Sequence, residues 1–214
     1  MKNIPIRISM YLGGLFILTL GIALSVKSDL GVSPLSSLPY TATCVWGVEM
    51  GKATIIFHCG LVLLQILLLR KNFNPKNFLQ IIAGIIFGYF TTFCNYLFSF
   101  VPTPNSMTVK IILAIVSTSL TAIGIFLYLP ANIIPLAGEG IIEATSKVTK
   151  IDFSITKITF DFINVIISLI ICFVTLHTFA SVGIGTLLAA LLVGVQHGWL
   201  VKLLGKQRDK LLKN

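Results

Sequence analysis

Charged side chains are scarce in this 214-residue chain, where Asp, Glu, Lys and Arg together make up 11% of the residues and apolar side chains make up 56%. Soluble domains carry about 25% charged residues, because charged groups cover the surface that faces water. The mean hydropathy is +0.96. This composition excludes a soluble globule, a disordered tail, a coiled coil and a collagen-like chain, and it predicts a protein whose main solvent is lipid.

Signatures of metal sites and of common enzymes are also missing. The four cysteines, Cys44, Cys59, Cys94 and Cys172, show no paired spacing, so we interpret them as small apolar packing residues. The three histidines are widely separated, and HExxH, GxSxG and GxxxxGK[ST] do not occur. We therefore expect no metal, no cofactor and no enzymatic activity.

The uncharged runs that are present have the length of membrane-spanning helices. A hydrocarbon core of about 30 Å needs about 20 helical residues per crossing, so the 40-residue run 162–201 must hold two crossings. We predict an all-α membrane protein, a single integral membrane domain over 1–214 with a basic cytoplasmic tail at 205–214. The six predicted spans are 7–26, 52–70, 78–99, 109–129, 154–176 and 183–204.

Residues 30–48 are uncharged but do not read as a regular span, because they contain Pro34, Pro39 and several Ser and Thr residues. We predict a re-entrant or interfacial segment with a short helix beginning near Pro34, since proline is favoured in the first turn of a helix. A seventh crossing is the alternative. At the N-terminus we favour a retained first span over a cleaved signal peptide, because the apolar stretch is long and lacks a good cleavage site.

The basic residues predict the orientation. If both termini are cytoplasmic, thirteen Lys and Arg residues lie inside and only Lys27, Lys52 and Lys110 lie outside. The net charge of +9 is then mostly positive-inside bias. We expect a multi-pass protein of the bacterial cytoplasmic (inner) membrane, whose basic C-terminal cluster contacts anionic membrane lipid and not nucleic acid.

The two halves of the chain resemble each other at an offset of 103 residues. Gly21-Ile22 aligns with Gly124-Ile125, and Asp29 aligns with Asn132. Three spans per half is an odd number, so the second copy must enter the membrane from the opposite side. We predict two inverted three-helix repeats, 7–99 and 109–204, each with an irregular segment after its first helix, a plan that recurs in secondary transporters.

Rows of small residues mark the last span of each half. Gly84 and Gly88 in the first half, and Gly194 and Gly198 in the second, are spaced four apart and share a helix face. We expect these two spans to pack on each other within the chain or, as the less favoured alternative, across a homodimer.

Ionisable residues inside the spans are expensive in lipid and need partners. Asp161 lies in the fifth predicted span, with Lys157 one turn earlier, and His58 occupies the equivalent position in the first half. His58 and Asp161 form either a proton-coupling pair or a structural hydrogen bond. We interpret a further set of amides as hydrogen-bonding links between helices: Gln65, Gln80, Asn95, Asn164 and Gln196.

The two irregular segments offer the groups that would bind a polar solute. Backbone N–H groups at the breaks of half-helices can hold an anionic or polar group. For Glu143, a solvated pair with Lys147 is the simpler interpretation. The predicted substrate-binding residues are Asp29, Ser33, Ser36, Tyr40, Asn132, Glu139 and Glu143.

Several stretches resemble the YitT/YczE/YyaS group of bacterial multi-pass membrane proteins. They are Gly21–Pro34, Gly138-Glu139-Gly140, Phe160-Asp161 and Gly183–Gly194, so the resemblance covers nearly the whole chain. It implies a polytopic inner-membrane protein. The group is largely uncharacterised, and the resemblance implies no substrate.

Three functions remain open from the sequence. The leading hypothesis is a small secondary transporter or exporter of a polar or charged small molecule, with proton coupling as an option. The second is a membrane-embedded binding subunit of a multi-component importer, which co-purification with an ATPase module would favour. The third is a scaffold or assembly factor, in which charge-neutral substitutions would change thermal stability but no flux.

Overall fold

The computed structural model describes residues 4–213, most of which are helical, and no strand occurs among them. Lys2, which the orientation argument counts, and Asn214, the last residue of the predicted tail, lie outside the described residues. Short 3₁₀ turns occur at Arg70–Asn72, Pro75–Phe78 and Leu129–Ala131. The helices are α1 (Ile4–Ser28), α2 (Pro34–Trp46), α3 (Met50–Leu69), α4 (Leu79–Ser99), α5 (Met107–Tyr128), α6 (Ala137–Thr149), α7 (Phe153–Leu176) and α8 (Ile184–Lys213).

Six of these helices, α1, α3, α4, α5, α7 and α8, are long and apolar enough to cross a membrane, which confirms the predicted span count and indicates a multi-pass membrane protein. The other two, α2 and α6, have 13 residues each. At 1.5 Å per residue each is about 20 Å long, too short for a hydrocarbon core of about 30 Å. Residues 30–48 therefore do not form a seventh full-length crossing.

Local sequence signals set the helix starts. Pro34 opens α2 as predicted. The side chain of Glu49 accepts hydrogen bonds from the backbone N–H groups of Gly51 and Lys52, and Asp152 accepts one from Ser154. These carboxylates satisfy N–H groups that the first turns of α3 and α7 leave without helical partners.

The last helix differs from its prediction, since α8 continues to Lys213, through the predicted tail. The tail is rich in Lys, Arg, Gln and Leu, which are strong helix formers. Two arginines fix its position: Arg7 donates to the Leu212 carbonyl at 3.3 Å, and Arg208 donates to the Phe126 carbonyl at 3.3 Å. The guanidinium of Arg208 also lies 4.6 Å from the centre of the Phe126 ring.

The chain folds into two compact units. The first unit comprises the residues up to Ser33, Phe93–Ile133 and the residues from Gly183 onward. It contains α1, α5, α8 and the end of α4. The second unit comprises Pro34–Thr92 and Ile134–Val182, with α2, α3, most of α4, α6 and α7.

Close helix contacts hold the first unit together. In it, α1 packs against α5, and α5 packs against α8. Gly14 and Gly124 let the backbones of α1 and α5 approach closely, because a Cβ on Gly124 would lie 2.8 Å from the Gly14 carbonyl oxygen. The rings of Tyr11 and Tyr128 meet edge to face with centroids 6.2 Å apart.

Two contacting pairs of helices build much of the second unit. In it, α2 packs against α7 and α3 packs against α6. The contact of α3 with α6 contains a buried apolar cluster formed by Leu61, Val62, Ala137, Ile141 and Ile142. This cluster packs α6 against the C-terminal half of α3, next to the cavity described below.

Candidate binding site

The second unit contains an open cavity of about 870 Å³ between α6 and the connection from α3 to α4. Small-molecule sites in proteins usually measure about 300–1,000 Å³. The lining residues are Leu68, Leu69, Arg70, Lys71, Asn72, Asn74, Asn77, Gln80, Pro135, Gly140, Glu143, Ala144, Lys147 and Val148. Most of these side chains are polar, which is unusual in a chain with so few polar residues.

Turn chemistry positions the connection that forms one wall. The Asn74 side chain accepts a hydrogen bond from the Lys76 backbone N–H at 3.0 Å, and Pro75 opens the following 3₁₀ turn. The rings of Phe73 and Phe78 pack edge to face across it, with centroids 5.2 Å apart. The connection is therefore a defined structure that presents its asparagines and basic residues to the cavity.

A buried pair of glutamines lies beside the cavity. Gln65 on α3 donates to the Gln80 side-chain oxygen on α4 at 2.8 Å and to the Ala137 carbonyl on α6 at 3.4 Å. Both glutamines are at most 2% exposed. Gly140 makes room for them, since a Cβ there would lie 2.5 Å from the Gln80 amide oxygen. This confirms that Gln65 and Gln80 link helices, as predicted, and it places the Gln80 amide in the cavity wall.

Positive charge dominates the lining. Arg70, Lys71 and Lys147 carry positive charges and Glu143 carries the one negative charge of the lining. Glu143 pairs with Lys147 at 2.6 Å, as the sequence predicts. Within residues 4–213, neither Arg70 nor Lys71 forms a salt bridge, so two cations of the lining are not neutralised.

The backbone of Arg70 is strained. It ends α3 with φ 46° and ψ −115°, outside the regions that residues with a side chain normally adopt. Its N–H donates to the Ile66 carbonyl and so closes the last turn of the helix. Strain of this kind costs about 1–3 kcal/mol and is concentrated at functional sites.

The N-terminal end of α6 also borders the cavity, through Pro135 and Gly140. Leu136 precedes the helix and provides no side-chain hydrogen bond to its first turn. The N-terminal end of a helix carries a partial positive charge. This partial charge has the same sign as that of the two cations, but the carboxylate of Glu139 in the same first turn offsets part of it.

A second polar cluster lies between α2 and α7 and is completely buried. Ser168 donates to the Ser37 hydroxyl at 2.9 Å, and Thr41 shares a hydrogen bond of 2.7 Å with Ser181. The Cys172 sulfur lies 3.3 Å from the Ser181 hydroxyl. These five side chains, named here the hydroxyl cluster, are each 0% exposed.

Three of the predicted substrate-binding residues, Asp29, Ser33 and Asn132, lie in the first unit. Asp29 and Asn132 both have left-handed backbones, with φ 55° and 50°. The Asp29 carboxylate accepts a hydrogen bond of 2.6 Å from Lys110. The negative charge of Asp29 is therefore already paired within this unit.

The other four lie on the short helices of the second unit: Ser36 and Tyr40 on α2, and Glu139 and Glu143 on α6. Among the described residues of this unit, Glu143 is the only one of the four that lines the cavity. Glu139 is half-buried in the first turn of α6.

The two predicted proton-coupling residues differ in environment. His58 is 2% exposed, its ring lies 5.6 Å from that of Phe87, and its Nδ1 is buried without a hydrogen-bond partner. Asp161 forms the predicted pair with Lys157, at 2.9 Å. Among the described contacts, none joins His58 to Asp161.

The two glycine rows have different surroundings. Gly84 and Gly88 lie against α3, where Cβ atoms would contact His58 and Ile55. Apart from the adjoining residues and backbone of α8 itself, no atom of the described residues lies within 4 Å of the Cβ positions of Gly194 and Gly198. The predicted homodimer through these glycines therefore stays a prediction.

The lining residues between Arg70 and Gln80 were not predicted as a site. Their signal in the sequence is the spacing of Asn72, Asn74 and Asn77 between two spans, beside Arg70 and Lys71. In the sequence, the basic residues are already accounted for by the predicted positive-inside orientation, so no pattern there points to a second role.

One family model matches the chain, over residues 5–202, and its description is a family of unknown function (DUF6198). No curated protein and no solved structure matches it.

Proposed function

Since the chain belongs to the DUF6198 family of unknown function, we propose its function from geometry and charge: it is a small secondary transporter or exporter that moves a polar or charged small molecule across a membrane. The single observation that carries this proposal is the polar cavity of about 870 Å³ within a unit built from apolar, span-length helices. The cavity collects polar side chains from the α3–α4 connection and from α6, and such a set of groups suits a polar or charged solute.

A repeat in the helix bounds supports the proposal, and it agrees with the two inverted halves predicted from the sequence. Ala137 and Thr149, the ends of α6, follow Pro34 and Trp46, the ends of α2, by 103 positions each, and Phe153 at the start of α7 follows Met50 by the same number.

Local conformations repeat as well. The left-handed residues Asp29 and Gly47 correspond at this offset to Asn132 and Lys150, and the capping carboxylate Glu49 corresponds to Asp152. Because turns and caps are set by backbone geometry, this agreement is stronger support than matching apolar residues.

The same correspondence relates the cavity to the hydroxyl cluster. Exchange of the two halves turns the contact of α3 with α6 into the contact of α7 with α2. Ser168 then occupies the position of Gln65. The cavity beside the first contact is open to solvent, whereas the hydroxyl cluster in the second contact is buried, which is the arrangement expected of a transporter with access from one side. In the opposite state the hydroxyl cluster opens and the cavity closes.

The remaining parts of the proposal come from the sequence. The chain lies in the bacterial cytoplasmic membrane with both termini inside, so the cavity opens towards the cytoplasm. Glu139 and the α2 residues Ser36 and Tyr40 contact the solute as it passes. His58 and Asp161 carry the coupling proton. The resemblance to the YitT/YczE/YyaS group agrees with a polytopic inner-membrane protein.

The experiment has two steps. Purified protein is screened for thermal stabilisation by a panel of amino acids, dicarboxylates, phosphate esters, sugars and polyamines, because a ligand that binds only the folded state raises the apparent melting temperature. Each stabilising compound is then tested, in labelled form, for uptake into proteoliposomes. The proposal requires uptake above that of protein-free liposomes. Binding without uptake would favour a scaffold or an importer subunit instead.

A further inference from the structure

We propose that the cavity binds an anion, through a carboxylate or phosphate group held by Arg70, Lys71 and the Gln80 amide. The role of this anion as a transported solute rests on the proposed function. Its binding does not, because binding is measured separately from transport. The three groups all line the cavity and lie on one stretch of chain, from the end of α3 to the first turn of α4.

The charge balance selects an anion. Lys147 and Glu143 neutralise each other at 2.6 Å, which leaves Arg70 and Lys71 as unpaired cations within the lining. Glu139, the other carboxylate of α6, does not line the cavity. A cationic solute would meet uncompensated repulsion here, whereas an anion supplies the missing partner.

Hydrogen-bond donors point to the same class of ligand. Gln80 accepts from Gln65 through its Oε1 atom, so its Nε2 hydrogens remain as donors at the cavity wall. Asn74 likewise uses its side-chain oxygen to accept from the Lys76 N–H, and its amide hydrogens remain. Arg and carboxamide groups form a typical surrounding for carboxylate and phosphate.

Two sources could supply this chemistry: a free solute or the headgroup of an anionic lipid. A neighbouring apolar groove of about 320 Å³ shares Leu68 with the cavity and is lined by side chains such as Leu64 and Ile163. Such a groove accommodates an acyl chain. The proposed ligand is therefore an anionic group, and the experiment distinguishes a free solute from a lipid headgroup.

The test compares anions at constant ionic strength, because screening by salt alone changes stability. Protein in detergent is titrated with sodium phosphate and sodium succinate against sodium chloride, and the melting temperature is recorded. In a parallel arm, nanodiscs of phosphatidylcholine are compared with nanodiscs that contain phosphatidylglycerol. We expect a saturable rise in melting temperature with at least one soluble anion or with the anionic lipid.

Variants locate the site. Arg70→Gln and Lys71→Gln should each weaken apparent anion affinity about tenfold or more, since each removes a charge-assisted hydrogen bond. Lys52→Gln removes the same charge from the exposed opposite end of α3 and should bind like the wild type. Arg70→Gly is a second variant that removes the charge, and it should fold because glycine tolerates the positive φ at this position.

Each outcome decides the inference. A soluble-anion response lost in both cavity variants supports a solute site, and a response confined to phosphatidylglycerol nanodiscs supports a headgroup site. If no anion acts beyond chloride, or if the cavity variants respond like Lys52→Gln, the inference is wrong. If a neutral solute stabilises the protein and is transported, the anion-binding inference is wrong and the transport function stands. If an anion binds but is not transported, the transport function is wrong and the anion-binding inference stands.

Discussion

At the scale of single residues, Arg70 combines a costly backbone conformation with a charge that no described side chain neutralises. A residue whose side chain had no role would be replaced by glycine without loss. The strain therefore supports a function for the guanidinium that outweighs its cost in stability.

The backbone strain at Arg70 predicts that two truncations of its side chain differ in stability. Arg70→Gly should have a free energy of unfolding about 1 kcal/mol higher than Arg70→Ala, because glycine relieves the positive-φ strain that alanine keeps. Both variants lose the charge, so both should lose anion affinity. Thermal melts of the two proteins in the same detergent measure the difference, and an equally stable pair would show that the strain is absent.

Gly140 supports a second prediction at this scale. Gly140→Val should destabilise the protein by about 1–3 kcal/mol, since the new side chain would overlap the Gln80 amide and displace it from Gln65. Gly60→Val is the matched control, because that position on α3 has open space beside it. Thermal melts distinguish the two, and equal losses would contradict the close packing of α6 on the glutamine pair.

At the scale of helices, the sequence predicted most boundaries and missed most of the cavity, for identifiable reasons. Spans are set by hydrophobic length, which charge-free runs record directly. Pro34 marked the start of α2 for a local steric reason. The cavity depends on tertiary packing that places Arg70, Gln80 and Gly140 around one space. Hydrophobic periodicity in the sequence does not predict which distant residues come together. Asn164 shows the same limit, because its predicted link between helices is a bond to Phe160 of its own helix.

The hydroxyl cluster between α2 and α7 gives a prediction about helix contacts. In a variant whose sole cysteine is Cys172, a membrane-impermeant maleimide should react slowly, because that thiol is fully buried. Thr41→Val should increase the rate severalfold, since it breaks the bond to Ser181 that closes the contact.

The control for this measurement is Thr175→Val, which removes a hydroxyl of α7 that bonds only to its own helix. A Cys172 thiol that is already fast in the parent variant would contradict a sealed contact. A stabilising ligand that changes the Cys172 rate would in turn support exchange between the two states.

At the scale of the whole molecule, the positive-inside bias and the odd number of spans per half predict the topology. Ser106→Cys, in the connection between α4 and α5, should react with an impermeant thiol reagent on intact cells in a cysteine-free background. Lys76→Cys, between α3 and α4, should react only after permeabilisation. If both sites react from the same side of the membrane, the predicted inverted repeat and the predicted orientation are both wrong.

Transport is tested most directly by uptake into proteoliposomes of a compound that stabilises the purified protein. We expect saturable uptake by the wild type, uptake reduced about tenfold or more in the double variant Arg70→Gln/Lys71→Gln, and wild-type uptake by Lys52→Gln. Uptake at the protein-free rate for every stabilising compound, with all three proteins folded, would show that the protein is not a transporter of these compounds.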